Sequence, residues 1–214
     1  LKEISERGQP RQSKRLGKDN KNNKEQEIVA LVLAAGSSKR MGKDNKLLID
    51  IDGSSLIRRT IGSLMASNAS AITVITGHEA DSVSAALEDL SELTIVHNPH
   101  HNVGLSTSLK TGVAALPETT DGVLICLGDM PLVTPDIINA LIQSFDPTEG
   151  RSICVPVFGR KRGNPILWSR NFLTEMSKLS GDVGARSLLE EHADQVHEVL
   201  MTDDGVLFDV DTPE

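Results

Sequence analysis

Residues 28–46, IVALVLAAGSSKRMGKDNK, open with seven apolar residues in succession, pass through Ala-Ala-Gly, and end among cations. A short, wholly apolar run is the mark of a strand buried on both faces, which occurs in parallel sheets covered by helices. The segment after it has the composition of a phosphate-holding loop but not the Walker A spacing. Five residues separate Gly36 from Gly42, and Lys43 is followed by Asp44 instead of Ser or Thr.

Working outward, strand-like and helix-like stretches alternate. Ile57, Ile61, Leu64 and Met65 follow Ser54 and Ser55, which can cap, at helical spacing. AITVIT (71–76) leads to a helical stretch near 79–90 and then to LTIVH (93–97). Leu105, Leu109, Val113 and Leu116 form a further helical stripe before GVLICL (122–127). TPDIINALIQSF (134–145) has Thr134 to cap and Pro135 in the first turn. SICVPV (152–157), NPILW (164–168), a helix near 182–192 and a strand at VLFDV (206–210) complete the series. Such alternation requires crossover connections, so the expected fold is an α/β three-layer sandwich with a mostly parallel central sheet, Rossmann-like. Ligands of these sheets gather in the loops after the strands.

Residues 1–27 differ from the rest. They are polar, lack periodicity and read as a tail or interdomain linker, leaving 28–214 as one domain. The tail carries a net charge of +3 and the remainder −11, for −8 overall. An acidic body argues against nucleic acid as the main partner. No stretch has the ~20 apolar residues a membrane helix needs, and no signal-peptide pattern opens the chain. Cys126 and Cys154, both inside apolar runs, are expected to be buried reduced thiols, which fits the cytoplasm. Four cations at 39, 40, 43 and 46 in an acidic body point to a small anionic ligand.

The strand-end loops supply the remaining candidates. Ala34, Ala35 and Gly36 have almost no side chain, so a base or phosphate can approach the backbone. Arg40 and Lys46 add full charges. Thr76-Gly77-His78 follows the second strand. His97, His100 and His101 surround Pro99, which breaks a zinc-like spacing. Ser106, Thr107 and Ser108 lie at a helix start, where free N–H groups suit an anion. Asp129, after the most apolar strand, needs a partner because a lone buried carboxylate is costly, and magnesium suits such a position. Period-2 alternation in FDVDTP puts Asp209 and Asp211 on one face, so one of them can join Asp129 at a metal. Arg160, Lys161 and Arg162 precede Gly163-Asn164-Pro165, and Gly181-Asp182 opens a helix with Arg186 in its first turn.

LAAGSSKRMGKDNKLL, TGH, GLSTSL, CLGDMP, RGNP, GDVGAR and DVDTPE occur here in the order found in the molybdenum cofactor cytidylyltransferase family, which residues 28–214 resemble throughout. The resemblance implies transfer of CMP from CTP to the phosphate of molybdopterin or molybdenum cofactor, with pyrophosphate released and Mg²⁺ required. It places Leu33, Ala34, Ala35 and Gly36 on the base, and Arg40 and Lys46 on the triphosphate. Thr76, Gly77, His78 and Asn98 fall where related enzymes touch the nucleotide. It makes Asp129 and Asp211 the metal ligands. Ser106, Thr107, Ser108, Arg162, Gly163, Asn164, Pro165, Gly181 and Asp182 map to the acceptor side. Arg40, Lys46 and Asp129 are the catalytic set. Guanylyltransferases of this branch carry Gly-Gly where Ala34-Ala35 or Ala35-Gly36 stands, which favours CTP over GTP. The chain is similar too to proteins in which this domain follows a molybdopterin-binding domain, an origin that the linker-like residues 1–27 suit. A molybdoenzyme or chaperone would receive the product. The competing expectations are a GTP-using guanylyltransferase, a nicotinamide-dependent oxidoreductase, and a non-catalytic cofactor carrier on the same fold.

Overall fold

The computed structural model describes residues 26–37 and 45–210. Residues 1–25, Arg40 and Asp211 therefore lie outside the described residues, and with them most of the expected tail and two of the expected site residues.

The strands, in chain order, are β1 (Ile28–Ala34), β2 (Asp50–Ile51), β3 (Ser54–Ser55), β4 (Ala71–Thr76), β5 (Leu93–His97), β6 (Gly122–Leu127), β7 (Ile153–Phe158), β8 (Lys161–Arg162), β9 (Ile166–Ser169) and β10 (Val196–Leu200). The helices are α1 (Leu56–Met65), α2 (Ala80–Ala85), α3 (Leu105–Ala115), α4 (Pro135–Ser144) and α5 (Leu173–Met176). The main sheet has the order β10-β7-β9-β6-β1-β4-β5, with β8 paired to β7. β4, β1 and β6 run parallel, as do β4 with β5 and β7 with β10. β9 is antiparallel to both neighbours and β8 to β7. The expected three-layer, mostly parallel architecture holds.

β1 explains the layering. Ile28 to Val32 are fully buried. Ala30, Val32 and Ala34 face a core with Ile57, Ile61 and Leu64 of α1 and Ile137, Ile138 and Leu141 of α4. Leu31 faces the other, with Leu109 of α3, Trp168 and Met176. Alternation along a strand thus feeds two cores. The chain runs from β1 outward to β4 and β5, then crosses back to place β6 on the opposite side of β1. That reversal opens a crevice beyond the carboxyl ends of β1 and β6.

Several local expectations differ. The stretch near 79–90 is helical only over Ala80–Ala85, and that near 182–192 is a 3-10 turn over Ala185–Leu189. Thr134 does cap α4, its Oγ1 accepting from the Ile137 N–H at 3.4 Å. Ser55 does not cap α1 through its hydroxyl, because Ser54–Ser55 is tied into a two-stranded hairpin with Asp50–Ile51. VLFDV is not a strand. Val196–Leu200, which the hydrophobic pattern does not single out, pairs with β7 instead. Residues 205–207 form a 3-10 turn, and the chain passes against residues 163–164. The Val206 carbonyl accepts from the Asn164 N–H at 2.9 Å, and a Cβ on Gly163 would lie 2.3 Å from that same oxygen. Only glycine lets the two backbones meet so closely. With no strand there, the alternation argument for Asp209 and Asp211 lapses.

Two outcomes test this packing. Gly163→Ala should destabilise the chain by about 1–3 kcal/mol, the usual range for forcing atoms into a filled space, as read from urea unfolding. Burial disfavours both thiolates, lifting Cys126 well above the ordinary thiol range and pushing Cys154 up to about 12. Since the thiolate is the reactive form, neither cysteine should react with a disulfide reagent in the folded chain, and both should react after unfolding.

Candidate functional site

A cleft of about 900 Å³ lies across the carboxyl ends of β1 and β6, within the range of small-molecule sites. Leu33, Ala34, Ala35, Gly36 and Ser37 form one wall, and Leu127, Gly128 and Asp129 the floor beside it. Lys46, Leu47, His78, His101 to Leu105, Ser108 and Asp182 complete the lining.

Lys46 is aimed by short-range contacts. Asn45 Oδ1 accepts from the Leu47 N–H at 3.1 Å and the Asn45 carbonyl from the Leu48 N–H at 2.9 Å, making one 3-10 turn. Leu47 is buried and anchors that turn to the α1–α4 core. The Lys46 Nζ lies 2.5 Å from Asp129 Oδ2 and donates to the Val210 carbonyl at 2.9 Å. The Val210 N–H in turn donates to the Asp129 carbonyl at 3.2 Å. Three distant segments thereby converge at Asp129, and residue 210, directly before Asp211, is one of them.

Asp129 is only 7% exposed, and its Oδ1 is buried without a hydrogen-bond partner among the described residues. A buried carboxylate with one oxygen paired and the other bare can still take a cation. A hard divalent ion, which prefers carboxylate oxygen, fits that donor chemistry.

Other expected residues act as framework. Asn98 is fully buried, and its amide donates to Thr107 Oγ1 at 2.9 Å and to Ser108 Oγ at 3.0 Å. Its Oδ1 accepts from the His100 N–H at 2.9 Å. It braces the loop before α3 and does not line the cleft. Thr76 and Ser106 are likewise buried, and Gly77, Thr107 and Gly181 lie outside the cleft lining. A Cβ on Gly77 would fall 2.5 Å from the His101 Cβ and 2.7 Å from the Ala35 Cβ, so this glycine lets the wall segments close together.

The start of α3 is not an open anion site. The Leu105 N–H donates to Asp182 Oδ1 at 3.3 Å, Ser106 N–H to the Gly181 carbonyl at 3.2 Å, and Thr107 N–H to the Gly104 carbonyl at 3.1 Å. These first donors, normally left over in a helix, are already used. Asp182 therefore joins the cleft as the residue that caps α3. Arg162, Gly163, Asn164 and Pro165 lie apart from the cleft lining. Arg162 pairs with Glu198 at 2.8 Å, and its carbonyl accepts from Arg186 at 2.6 Å. Their link to the site runs through Val206, whose segment carries Val210 to Asp129.

Sequence reasoning missed Ser37, Leu47, Asn102, Val103, Gly104, Leu105, Leu127 and Gly128 in the lining and left His101 among a rejected zinc pattern. Leu127 and Gly128 could have been found, since they sit at the end of the strand that delivers Asp129.

Residues 30–196 match the family model described as MobA-like NTP transferase domain. Among curated proteins, the chain is 26% identical to the molybdenum cofactor cytidylyltransferase of Escherichia coli, over 87% of this chain and 92% of that one. It is 27% identical to the nicotine blue oxidoreductase of Paenarthrobacter nicotinovorans, over 87% and 93%. Among solved structures, Rv0371c from Mycobacterium tuberculosis superposes with a TM-score of 0.74 at 27% identity, covering 87% of this chain and 94% of that one. The same protein has also been solved in complex with manganese. The chain is a nucleotidyltransferase and belongs to the MobA-like NTP transferase domain family.

Proposed function

We propose that this cleft joins CMP from CTP to the phosphate of molybdopterin or molybdenum cofactor and releases pyrophosphate. The observation that carries it is the Asp129 carboxylate, held by Lys46 on one oxygen and without a partner among the described residues on the other, beside a bend of small residues. The cytidylyltransferase relative, matched along 92% of its length, supplies the substrate class.

The acceptor's terminal phosphate attacks the α-phosphorus of CTP. A new P–O bond forms there as the bond to the β-phosphate oxygen breaks, and that oxygen leaves with the electron pair as pyrophosphate. An ionised phosphate needs no general base, so the chain's task is positioning and charge stabilisation. Leu33 to Gly36 bring backbone against the base, with the Ala35 side chain only 4% exposed. Asp129, with Asp211 as its partner by resemblance, would hold magnesium, which stabilises negative charge on the reacting phosphate. Lys46 exchanges its contact with Asp129 for the phosphates, and by resemblance Arg40 would add its charge to them. His78 adjoins the bend, its N–H donating to the Ala35 carbonyl at 3.2 Å, and contacts the nucleotide, while Asp182 of the cleft lining faces the acceptor.

A second reading, an oxidoreductase on the same scaffold, is kept in view by the nicotine blue oxidoreductase relative. One assay separates the two. Each NTP is supplied in turn with Mg²⁺ and molybdopterin or its molybdenum form, and dinucleotide product and pyrophosphate are scored. CTP should give both products, and absence of pyrophosphate with every NTP overturns the proposal.

Asp129→Asn should lower kcat at least about 100-fold, the scale of losing a transition-state charge partner, with an unchanged circular dichroism spectrum. Near-normal turnover removes Asp129 from the chemistry. Lys46→Met should raise the KM for CTP about tenfold or more, as for a lost charge-assisted contact, and leave the acceptor KM within about twofold. A change in the acceptor KM alone means that the triphosphate lies elsewhere.

A further inference from the structure

The buried face of α1 is formed by Leu56, Ile57, Thr60, Ile61 and Leu64. Four of these are aliphatic, and the fifth is a threonine in the middle of the stripe. Thr60 is 4% exposed, and an aliphatic residue there would pack without a hydroxyl to satisfy. The hydroxyl lies 3.4 Å from the Leu56 carbonyl, one turn back in its own helix, and nearer, at 3.1 Å, to the Gly128 carbonyl, sixty-eight residues away.

Gly128 is where the sheet stops supplying hydrogen bonds. β6 pairs with β9 only as far as Ile125 and with β1 as far as Leu127. The Gly128 N–H still reaches the Leu33 carbonyl at 3.1 Å. Its own carbonyl has passed beyond the ladder, and the next residue is Asp129. Resting on the transfer reading above, we propose that Thr60 is a positioning residue that fixes the Gly128–Asp129 peptide and so the direction of the Asp129 carboxylate. Leu33 holds that peptide's glycine from the sheet, Thr60 holds its carbonyl from the helical layer, and Val210 holds the following carbonyl from the C-terminal segment. Without the Thr60 hydroxyl the peptide keeps only its flanking anchors at Leu33 and Val210, and the buried carbonyl loses its donor. Groups that orient a ligating carboxylate in this way commonly change metal affinity 10- to 100-fold when removed.

The test reads metal binding directly. Mn²⁺ is titrated into the chain with CTP present, and the ternary complex is followed by water-proton relaxation, with urea unfolding measured in parallel. Thr60→Val, nearly isosteric, should weaken Mn²⁺ binding about tenfold, whereas Thr60→Ser, which keeps the hydroxyl, should stay within about twofold of the unsubstituted chain. If Thr60→Val lowers the unfolding midpoint but leaves Mn²⁺ affinity within twofold, Thr60 is a core hydroxyl only and the inference is overturned. It is equally overturned if Thr60→Ser binds as weakly as Thr60→Val. Should Thr60→Val not fold, Thr60→Ala, which adds no bulk, is judged by the same criterion. An unsubstituted chain whose Mn²⁺ binding is unaffected by Asp129→Asn overturns the metal assignment itself. Binding that depends on Asp129 but not on Thr60 overturns only the inference.

Discussion

A carboxylate at the end of a buried strand must be neutralised, and the ends of this sheet are arranged around that requirement. Asp129 leaves β6 almost wholly buried, where an unpaired charge is expensive. Lys46 reaches it from one loop, and the Val210 peptide reaches the backbone of the same residue. Surface ion pairs contribute little, but this one is largely screened from water, and losing either partner leaves a buried charge behind. The pair also ties together three otherwise independent stretches of chain, so Lys46 and the C-terminal segment are held beside the cleft.

Much of the architecture was legible in hydrophobic runs. IVALVLA is buried on both faces because it is an interior strand, and its lack of alternation said so. The Thr134-Pro135 start of α4 was readable because capping chemistry is local. What misled was the C-terminal fifth, where VHEVL and VLFDV are both short, mixed and β-branched. VHEVL is an exposed edge strand with Leu200 78% exposed, so its pattern carries little burial signal. VLFDV is apolar because Val206 is tucked against Gly163, not because it belongs to a sheet. Only the tertiary contact distinguishes them.

The site divides along the same line. Leu33 to Gly36, Lys46 and Asp129 were legible because each pairs a special composition with a strand end. Asn98 and Thr107 carry the same polar chemistry but spend it inside the fold, bracing the turn into α3. Sequence records that a donor exists and not which acceptor lies nearest. Thr60 is the converse case, an unremarkable residue in an amphipathic helix whose hydroxyl matters because of a strand end far away in the chain.

The way residues 204–210 are fastened has an evolutionary consequence. The grip is on main chain: the Val206 carbonyl is held by a backbone amide, and the Val210 peptide bonds to Asp129 and Lys46 through its own N–H and C=O. Between these anchors Leu207 packs on the core, while the exposed Phe208 takes no part in either grip. The side chain at 208 can drift from one descendant to another without loosening the strap, so selection can retune this patch of surface while the carboxylate itself stays put.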